Sequence, residues 1–498
     1  MESSHQILRL IRDNLYDEAL REIEKVDDES TKKIYYCQLA SAKGNYTKQA
    51  EIAGEVLNMT DPDPVARVFA TQSLAWAHIR MGNYDTAKDH IDQSLYYFEE
   101  LTEVEKQEYP PLYSIILNGF GSIAIETGNL DEAITYLENA LDIVRQLNYP
   151  ERVASLQNNL AFALQKKGQL NEALTLYTKS LRYYENNHLG VAKTRVKSNI
   201  AEIYRFRSQF DVALQYHKEV LDTRLNYDSD YNTAMSYHYV GLTYFEINSF
   251  EKAKDYLQHS WDHWMKVGNN QWMSATLLSL GRTRLALNED ISDILHALRS
   301  MAKDECIEII TARYNLLHAI ELKKSERMAN IAKAQTLLQE IIDAPVIDFE
   351  LTYSALIHAA DILFIELKIS SDKKIYEEIR SLIVNLEILT RENGAYGRMI
   401  EVMFQKAKVA IIDLQYDDAE KIITQAEFIA TERNMDHYLP MINEAREQLN
   451  ADILKIKQIM EENKDILERA KILELTSYLK QATNIRRDLN ERHKQPAE

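Results

Sequence analysis

A short phrase recurs along the chain with a spacing of 40 residues. It consists of glycine or a small polar residue, any residue, an aromatic residue or leucine, usually an acidic residue or asparagine, any residue, and alanine. Four successive copies end at Ala133, Ala173, Ala213 and Ala253. A small residue stands twelve positions before each alanine, and a fifth continues the series: Gly121, Ala161, Ala201, Gly241 and Gly281. A fixed period of this length indicates stacked repeats that share one continuous core.

The phrase predicts two antiparallel helices joined by a tight turn. Glycine accepts the left-handed conformation that ends the first helix, and an acidic residue near the next N-terminus interacts favourably with the helix dipole. Only 13 glycines and 8 prolines occur among 498 residues, so we expect a mostly helical chain. Weaker copies extend the array to Ala19 and Ala419, and amphipathic helices are predicted to continue from Ile294 to Tyr376, where the phrase decays. The segment Thr102 to Pro111 lengthens one period and is predicted to be a loop.

The phrase resembles the tetratricopeptide repeat (TPR). The small residues, leucine, glycine and aromatic residue of that pattern match Ala161, Leu164, Gly168, Ala173, Tyr177 and Ser180. The 40-residue period is longer than the usual period of about 34 and is similar to that of kinesin light chains, Pins-type adaptors and bacterial peptide-sensing regulators. The resemblance covers roughly residues 5–435 and implies an all-α, right-handed superhelical solenoid of helix-turn-helix repeats with its binding groove on the concave side.

The strength of the phrase divides the chain into four predicted segments. They are degenerate N-terminal repeats at 1–62, the regular array at 63–285, degenerate repeats at 286–436, and a long C-terminal helix at 437–498. Apolar residues at alternating spacings of four and three form a heptad pattern in that helix: Leu449, Ile453, Ile456, Met460, Asn463, Leu467 and Ala470. Such a helix could cap the exposed apolar face of the last repeat, or form a coiled coil, including a homodimer.

In the first helix of each repeat, the residues opposite the apolar arc are expected to line the concave groove. Side-chain amides one repeat apart could bind the backbone of an extended peptide, cations could bind a carboxylate, and aromatic rings could form apolar pockets. The predicted partner-binding residues are Asn118, Asn158, Asn159, Phe162, Lys166, Arg195, Asn199, Glu202, Arg205, Phe206, His238 and Tyr239. The alternative is a solvated polar face with some aromatic rings packed into the core.

Composition argues against several classes of protein. A net charge of −19 disfavours nucleic acid as the main partner. No stretch approaches the roughly 18 apolar residues of a membrane span, and the first residues lack a signal-peptide pattern, so we predict a cytoplasmic protein without membrane insertion. Cys37 and Cys306 have no Cys-x-x-Cys partner and are predicted to be buried thiols.

No catalytic motif is present, and neither an enzyme activity nor a cofactor is predicted. His259 and His263 share one helix face and could in principle bind zinc, but no third ligand is evident, and packing within a regular repeat is favoured. The leading hypothesis is therefore a non-catalytic scaffold that binds an extended peptide or helix of a partner protein in its concave groove. The alternative is a peptide-responsive regulator whose superhelix changes shape when the ligand binds.

Overall fold

The computed structural model describes residues 2–460, except 13–14, 188, 227–228, 306, 326, 346–347, 371, 393–394, 434 and 436–437. This part of the chain forms 24 helices and contains no strand. The first twelve helices are α1 Glu2–Arg12, α2 Tyr16–Ile23, α3 Glu29–Ala42, α4 Tyr46–Leu57, α5 Pro64–Met81, α6 Tyr84–Glu100, α7 Glu103–Glu108, α8 Leu112–Glu126, α9 Leu130–Gln146, α10 Pro150–Lys167, α11 Leu170–Asn186 and α12 Gly190–Phe206.

The remaining helices include those of the predicted degenerate repeats. They are α13 Phe210–Arg224, α14 Asp230–Glu246, α15 Phe250–Val267, α16 Asn270–Ala286, α17 Ser292–Glu305, α18 Glu308–Lys323, α19 Met328–Asp343, α20 Phe349–Ser370, α21 Lys373–Glu392, α22 Tyr396–Ile412, α23 Tyr416–Glu432 and α24 Leu439–Met460. The predicted continuation of helices between Ile294 and Tyr376 is thus confirmed by α17 to α20. The proposed division into four segments stays a prediction.

The 40-residue period of the sequence reappears in the positions where helices begin. Helices α10, α12, α14 and α16 begin at residues 150, 190, 230 and 270, and each packs against the helix that follows it. These four helices, together with α5, α8, α18, α20 and α22, are called the inner helices below, because their side chains meet across the concave side. The array is therefore the all-α solenoid that the repeat predicts.

The turns between paired helices adopt the predicted left-handed conformation. Gly128 and Gly168 have φ values of 86° and 94°, and Ser208 and Asn248 take the same role with φ values of 59° and 58°. At Gly168 the turn is closed by two hydrogen bonds, from its own N–H to Gln165 O at 2.9 Å and from Gln169 N–H to Leu164 O at 2.8 Å. These bonds satisfy carbonyls that the end of α10 would otherwise leave unpaired.

The loop predicted between Thr102 and Pro111 is wrong, because this segment contains the short helix α7. A capping box starts the helix: the Thr102 hydroxyl accepts a hydrogen bond from Glu105 N–H at 3.3 Å, and the Glu105 carboxylate accepts one from Thr102 N–H at 2.7 Å. This reciprocal pair satisfies two backbone donors at once. Thr102 and Glu105 have the spacing of that motif, which the repeat phrase alone does not reveal.

The described part of the C-terminal helix packs against the last repeat. Leu449 is buried and Ile453 is partly buried in the cluster formed with α22 and α23, as the capping hypothesis predicts for these two positions. The heptad positions from Asn463 onward lie outside the described residues. Cys37 is fully buried, as predicted, and burial raises the pKa of its thiol to about 12, whereas Cys306 lies outside the described residues. None of the described helices combines the length and apolarity that a membrane span requires.

Inner helices that are far apart in sequence touch each other across the concave side. The Asn269 amide donates to Arg80 O at 2.9 Å, over a separation of 189 residues, and the Gln271 amide donates to Glu126 O at 3.1 Å, over 145 residues. Further along, Arg398 Nη2 donates to Glu246 Oε1 at 2.8 Å. The solenoid therefore curves tightly enough for successive turns to meet, and its concave side is an interior instead of an open groove.

Candidate functional site

A cavity of about 100 Å³ lies in this interior. It is bounded by side chains from α10, α12, α14, α16, α18 and the start of α20. Six of the twelve predicted partner-binding residues line it: Phe162, Lys166, Glu202, Phe206, His238 and Tyr239. The 40-residue period places these side chains at equivalent positions on successive inner helices, which is why they converge. This cavity, with the side chains around it, is called the interior site below.

The four predicted asparagines form a connected ladder of amides. Asn159 Nδ2 donates to Asn118 Oδ1 at 2.8 Å, Asn158 Nδ2 donates to Asn159 Oδ1 at 3.1 Å, and Asn199 Nδ2 donates to Asn158 Oδ1 at 3.0 Å. Asn158 and Asn199 are buried. The sequence analysis expects these amides to bind a peptide backbone, whereas here they satisfy one another and tie α8, α10 and α12 together.

Arg205 occupies the centre of a buried ionic cluster. Its Nε and Nη2 donate to the two carboxylate oxygens of Glu202 at 3.0 and 3.1 Å. Its Nη1 and Nη2 donate to the two carboxylate oxygens of Glu350 at 3.0 and 2.8 Å. Its Nη1 also lies 3.5 Å from Glu246 Oε1, the atom that accepts from Arg398. Paired geometry of this kind compensates the cost of burying the charges.

The pKa values of this cluster are set by burial and ion pairing acting in opposite directions. Burial alone would raise the pKa of Glu350, but attraction to Arg205 outweighs it and lowers the value to about 2. Burial would also raise the pKa of Glu202, which Arg205 and the bonded His217 lower instead. Burial would lower the pKa of Arg205, but Glu202 and Glu350 raise it well above its ordinary value. All three groups are therefore charged at neutral pH.

Lys166 is paired in the same way as Arg205, with a carboxylate from the start of α20. Its Nζ lies 2.5 Å from Asp348 Oδ2 and also approaches the face of the Phe162 ring, at 5.8 Å from the ring centroid. The sequence analysis predicts that Lys166 and Arg205 bind a ligand's carboxylate. In the structure both bind carboxylates of the chain itself.

His238 and Tyr239 line the cavity and are almost completely buried. His238 Nδ1 lies 3.0 Å from Thr276 Oγ1, and both rings pack edge-on against Trp272, with centroids 6.1 and 6.2 Å apart. Burial lowers the pKa of His238 to about 3. The imidazole is therefore neutral at physiological pH and contributes an uncharged aromatic ring to the lining of the cavity.

Arg195 is not among the residues that line the cavity. Its Nε is buried and makes no hydrogen bond to any described residue. It lies close enough to Arg224 for repulsion to add to burial in lowering the Arg224 pKa, which falls to about 10. Arg195 therefore belongs to a separate basic region of the concave side.

Two cations of the interior site, Arg282 and Arg313, are not among the partner-binding residues predicted from the sequence. Arg282 lines the cavity and packs on the Phe245 ring at 4.8 Å, and it forms no hydrogen bond or salt bridge with any described residue. Burial lowers its pKa, with partial compensation from Glu246 and Glu350. Arg313 Nη1 donates only to neutral groups, to Gln271 O at 2.6 Å and Ser274 Oγ at 2.9 Å.

The period of the sequence could have revealed Arg282. Arg282 occupies the same position within its repeat as Phe162, three periods earlier, and Glu202, two periods earlier. Arg313 lies where the phrase has decayed, so no comparable signal marks it. The residues Asp348 to Glu350 could not be found from the period, because they reach the site through a contact between successive turns of the solenoid.

His259 and His263 lie on α15, away from the interior site. Their rings stack against Tyr237, with centroids 5.2 and 5.6 Å from it, and His263 Nδ1 pairs with Asp230 Oδ1. The described residues contain no group of three histidine, cysteine, aspartate or glutamate side chains arranged to hold a metal ion.

A family model described as tetratricopeptide repeat matches residues 112–186 and 190–262, which include α8 to α15 apart from the end of α15. The matched residues are tetratricopeptide repeats. Solved structures share this fold over most of the chain. NprR in complex with its cognate peptide NprX is 15% identical, with 72% of this chain and 100% of that chain covered and a TM-score of 0.51.

Two further proteins are similar to this TPR chain. A Rap protein complexed with competence and sporulation factor is 13% identical, with 77% of this chain and 99% of that chain covered and a TM-score of 0.50. Outer dynein arm-docking complex subunit 4 of Danio rerio is 21% identical over 194 residues, or 36% of this chain. That match spans only 39% of the length of the Danio rerio protein. At these identities the solved structures establish the fold alone.

Proposed function

We propose that this TPR protein is a non-catalytic, cytoplasmic interaction scaffold that binds an extended peptide or a helix of a partner protein at the interior site. One observation carries the proposal: charged and aromatic side chains from successive inner helices converge on a cavity in which Arg282 forms no salt bridge with a described residue. Arg282 is partly buried and only the more distant carboxylates of Glu246 and Glu350 offset its charge, so a ligand carboxylate in direct contact would stabilise it. The NprR and Rap structures contain a peptide and a competence factor, respectively, which supports the same type of ligand.

The proposal is tested by selecting peptides from a random display library on the intact protein and measuring their affinity by fluorescence anisotropy. Arg282→Gln is the most direct variant, because this side chain has no salt bridge to lose. We expect it to weaken binding about tenfold to a hundredfold, the equivalent of one charge-assisted hydrogen bond of about 1.5–3 kcal/mol.

Arg284→Gln is the matched control. Arg284 lies on the same helix, but its Nη1 is paired with Asp293 Oδ1 at 2.9 Å, and Arg284 is not among the residues that line the cavity. Its replacement should leave the affinity unchanged. Selected peptides that bind Arg282→Gln as tightly as the unmodified protein would contradict the proposed site, and failure to select any peptide would contradict the proposed function.

The second candidate function, a regulator that changes shape, is favoured by the contacts that hold successive turns together. Contacts such as those between Arg398 and Glu246 and between Gln271 and Glu126 join distant inner helices, so a peptide that enters between these helices would have to break some of them. Small-angle X-ray scattering with and without a selected peptide tests this candidate. A changed radius of gyration would support regulation, whereas an unchanged one would favour a static scaffold.

A further inference from the structure

Three consecutive residues at the start of α20, Asp348 to Glu350, enter the interior site. Asp348 pairs with Lys166 at 2.5 Å, the Phe349 ring packs edge-on against the Phe206 ring with centroids 6.2 Å apart, and Glu350 makes the two hydrogen bonds to Arg205 described above. Each of the three contacts a residue that sequence reasoning assigns to ligand binding. These residues are called the 348–350 segment below.

The 348–350 segment begins with a residue that caps α20 and also faces the interior site. Asp348 immediately precedes α20, and its Oδ1 accepts hydrogen bonds from the backbone N–H groups of Glu350 at 3.0 Å and Leu351 at 3.2 Å. The other oxygen of the same carboxylate faces Lys166. The first turn of α20 is thus presented to α10 and α12 as two carboxylates on either side of a buried aromatic ring.

Two cations around the cavity form no salt bridge with the 348–350 segment. Arg282 forms no salt bridge in the described part of the chain, and Arg313 hydrogen-bonds only to a carbonyl and a hydroxyl. Three cations and three carboxylates line the cavity, so an entering acidic segment would have to take over the ion pairs that the 348–350 segment makes now.

We propose that the 348–350 segment is an internal counterpart of the ligand, and that the ligand is an acidic peptide presenting a carboxylate, an aromatic ring and a carboxylate in that order. The ligand displaces the segment from Lys166, Phe206 and Arg205. This inference rests on the proposed function, which it refines by naming the class of peptide. Ligand and segment would use the same three side chains, so they compete.

The test uses the full-length protein and a synthetic peptide of residues 348–360, acetylated, amidated and labelled with fluorescein. The protein variant Asp348→Asn/Glu350→Gln removes both carboxylates of the internal segment with almost no change in shape. We expect the peptide to bind this variant at least about tenfold more tightly than the unmodified protein, because each displaced charged pair contributes about 1.5–3 kcal/mol. Lys166→Ala in the variant background should reverse the gain.

A peptide in which the two acidic residues are replaced by asparagine and glutamine is the matched control and should not bind. Circular dichroism establishes that each variant is folded. If the double variant does not fold, Asp348→Asn alone retains both a helix cap and the Glu350 pair and should still show tighter binding.

Equal anisotropy curves for the unmodified protein and a folded variant would overturn the inference and leave the 348–350 segment a structural contact. That outcome is distinguishable from failure of the proposed function, because peptides selected by display would still depend on Arg282.

Discussion

At the scale of single residues, the interior site depends on ionisable groups that are held in one charge state. Four charged groups from three helices influence the pKa of His238. They are Glu202 and Arg205 on α12, Arg313 on α18 and Glu350 on α20. Burial is the largest cause, and it lowers that pKa to about 3 from an ordinary value of 6.5. Protonation of His238 is therefore incompatible with the folded interior near neutral pH.

This pKa predicts that stability falls in mild acid. Between pH 6.5 and 3 the unfolded chain binds a proton at His238 that the folded chain does not, so the free energy of unfolding decreases as the pH drops. The contribution of His238 is about 2 kcal/mol between pH 7 and 5, at about 1.4 kcal/mol per unit below 6.5. Urea unfolding at a series of pH values measures it.

His238→Gln should reduce the pH dependence by that amount, because glutamine can hydrogen-bond to Thr276 without titrating. Some dependence should remain, since burial also lowers the pKa values of His217 and His358. An identical pH dependence in the variant would mean that His238 takes up its proton in the folded state.

At the scale of helices, the small residues of the 40-residue period set how closely paired helices approach. A Cβ added to Gly241 would lie 2.7 Å from Leu257 Cγ and 3.3 Å from Ala253 O, and Leu257 is fully buried. At the equivalent position of other repeats, Ala161 and Ala201 are fully buried. The distance between the two helices of a pair is therefore matched to the size of the residue at this position.

Gly241→Ala should therefore destabilise the protein, although alanine is the better helix former. The propensity gain is about 1 kcal/mol, and overpacking costs about 1–3 kcal/mol. Gly54 is the matched control, because it also lies within a helix but an added Cβ would meet nothing within 4 Å. Gly54→Ala should raise the thermal midpoint and Gly241→Ala should lower it. A higher midpoint for both would mean that the α14–α15 pair relaxes without cost.

The period explains how far the sequence could predict the helices. Each repeat contacts mainly its neighbours, so local spacing predicted the paired helices and the turns at Gly128 and Gly168, and the observed helix starts at 150, 190, 230 and 270 have the same 40-residue period. The prediction was wrong between Thr102 and Pro111, where a local capping box inserts α7 outside the period. The concave positions of Phe162 and Lys166 followed from the same spacing.

At the scale of the whole molecule, the remaining half of the site could not be predicted from repeat spacing. Lys166 and Arg205 each bind a carboxylate at the start of α20, and Glu246 accepts a hydrogen bond from Arg398 of α22, 152 residues further along the chain. These contacts depend on the curvature accumulated over several repeats, which no single repeat encodes. The residues that α20 contributes to the interior site are therefore identified only from the structure.

The same contacts should make distant repeats open together. Glu246 is buried, pairs with Arg398 and is near Arg205, so Glu246→Gln leaves buried cations with less compensation and should cost about 3–5 kcal/mol. We expect faster amide hydrogen exchange at both α14 and α22, together with a larger radius of gyration. Asp131→Asn, which breaks the exposed pair with Lys167, should change neither. Faster exchange confined to α14 would show that successive turns are not coupled through this pair, and the interior would then open one repeat at a time.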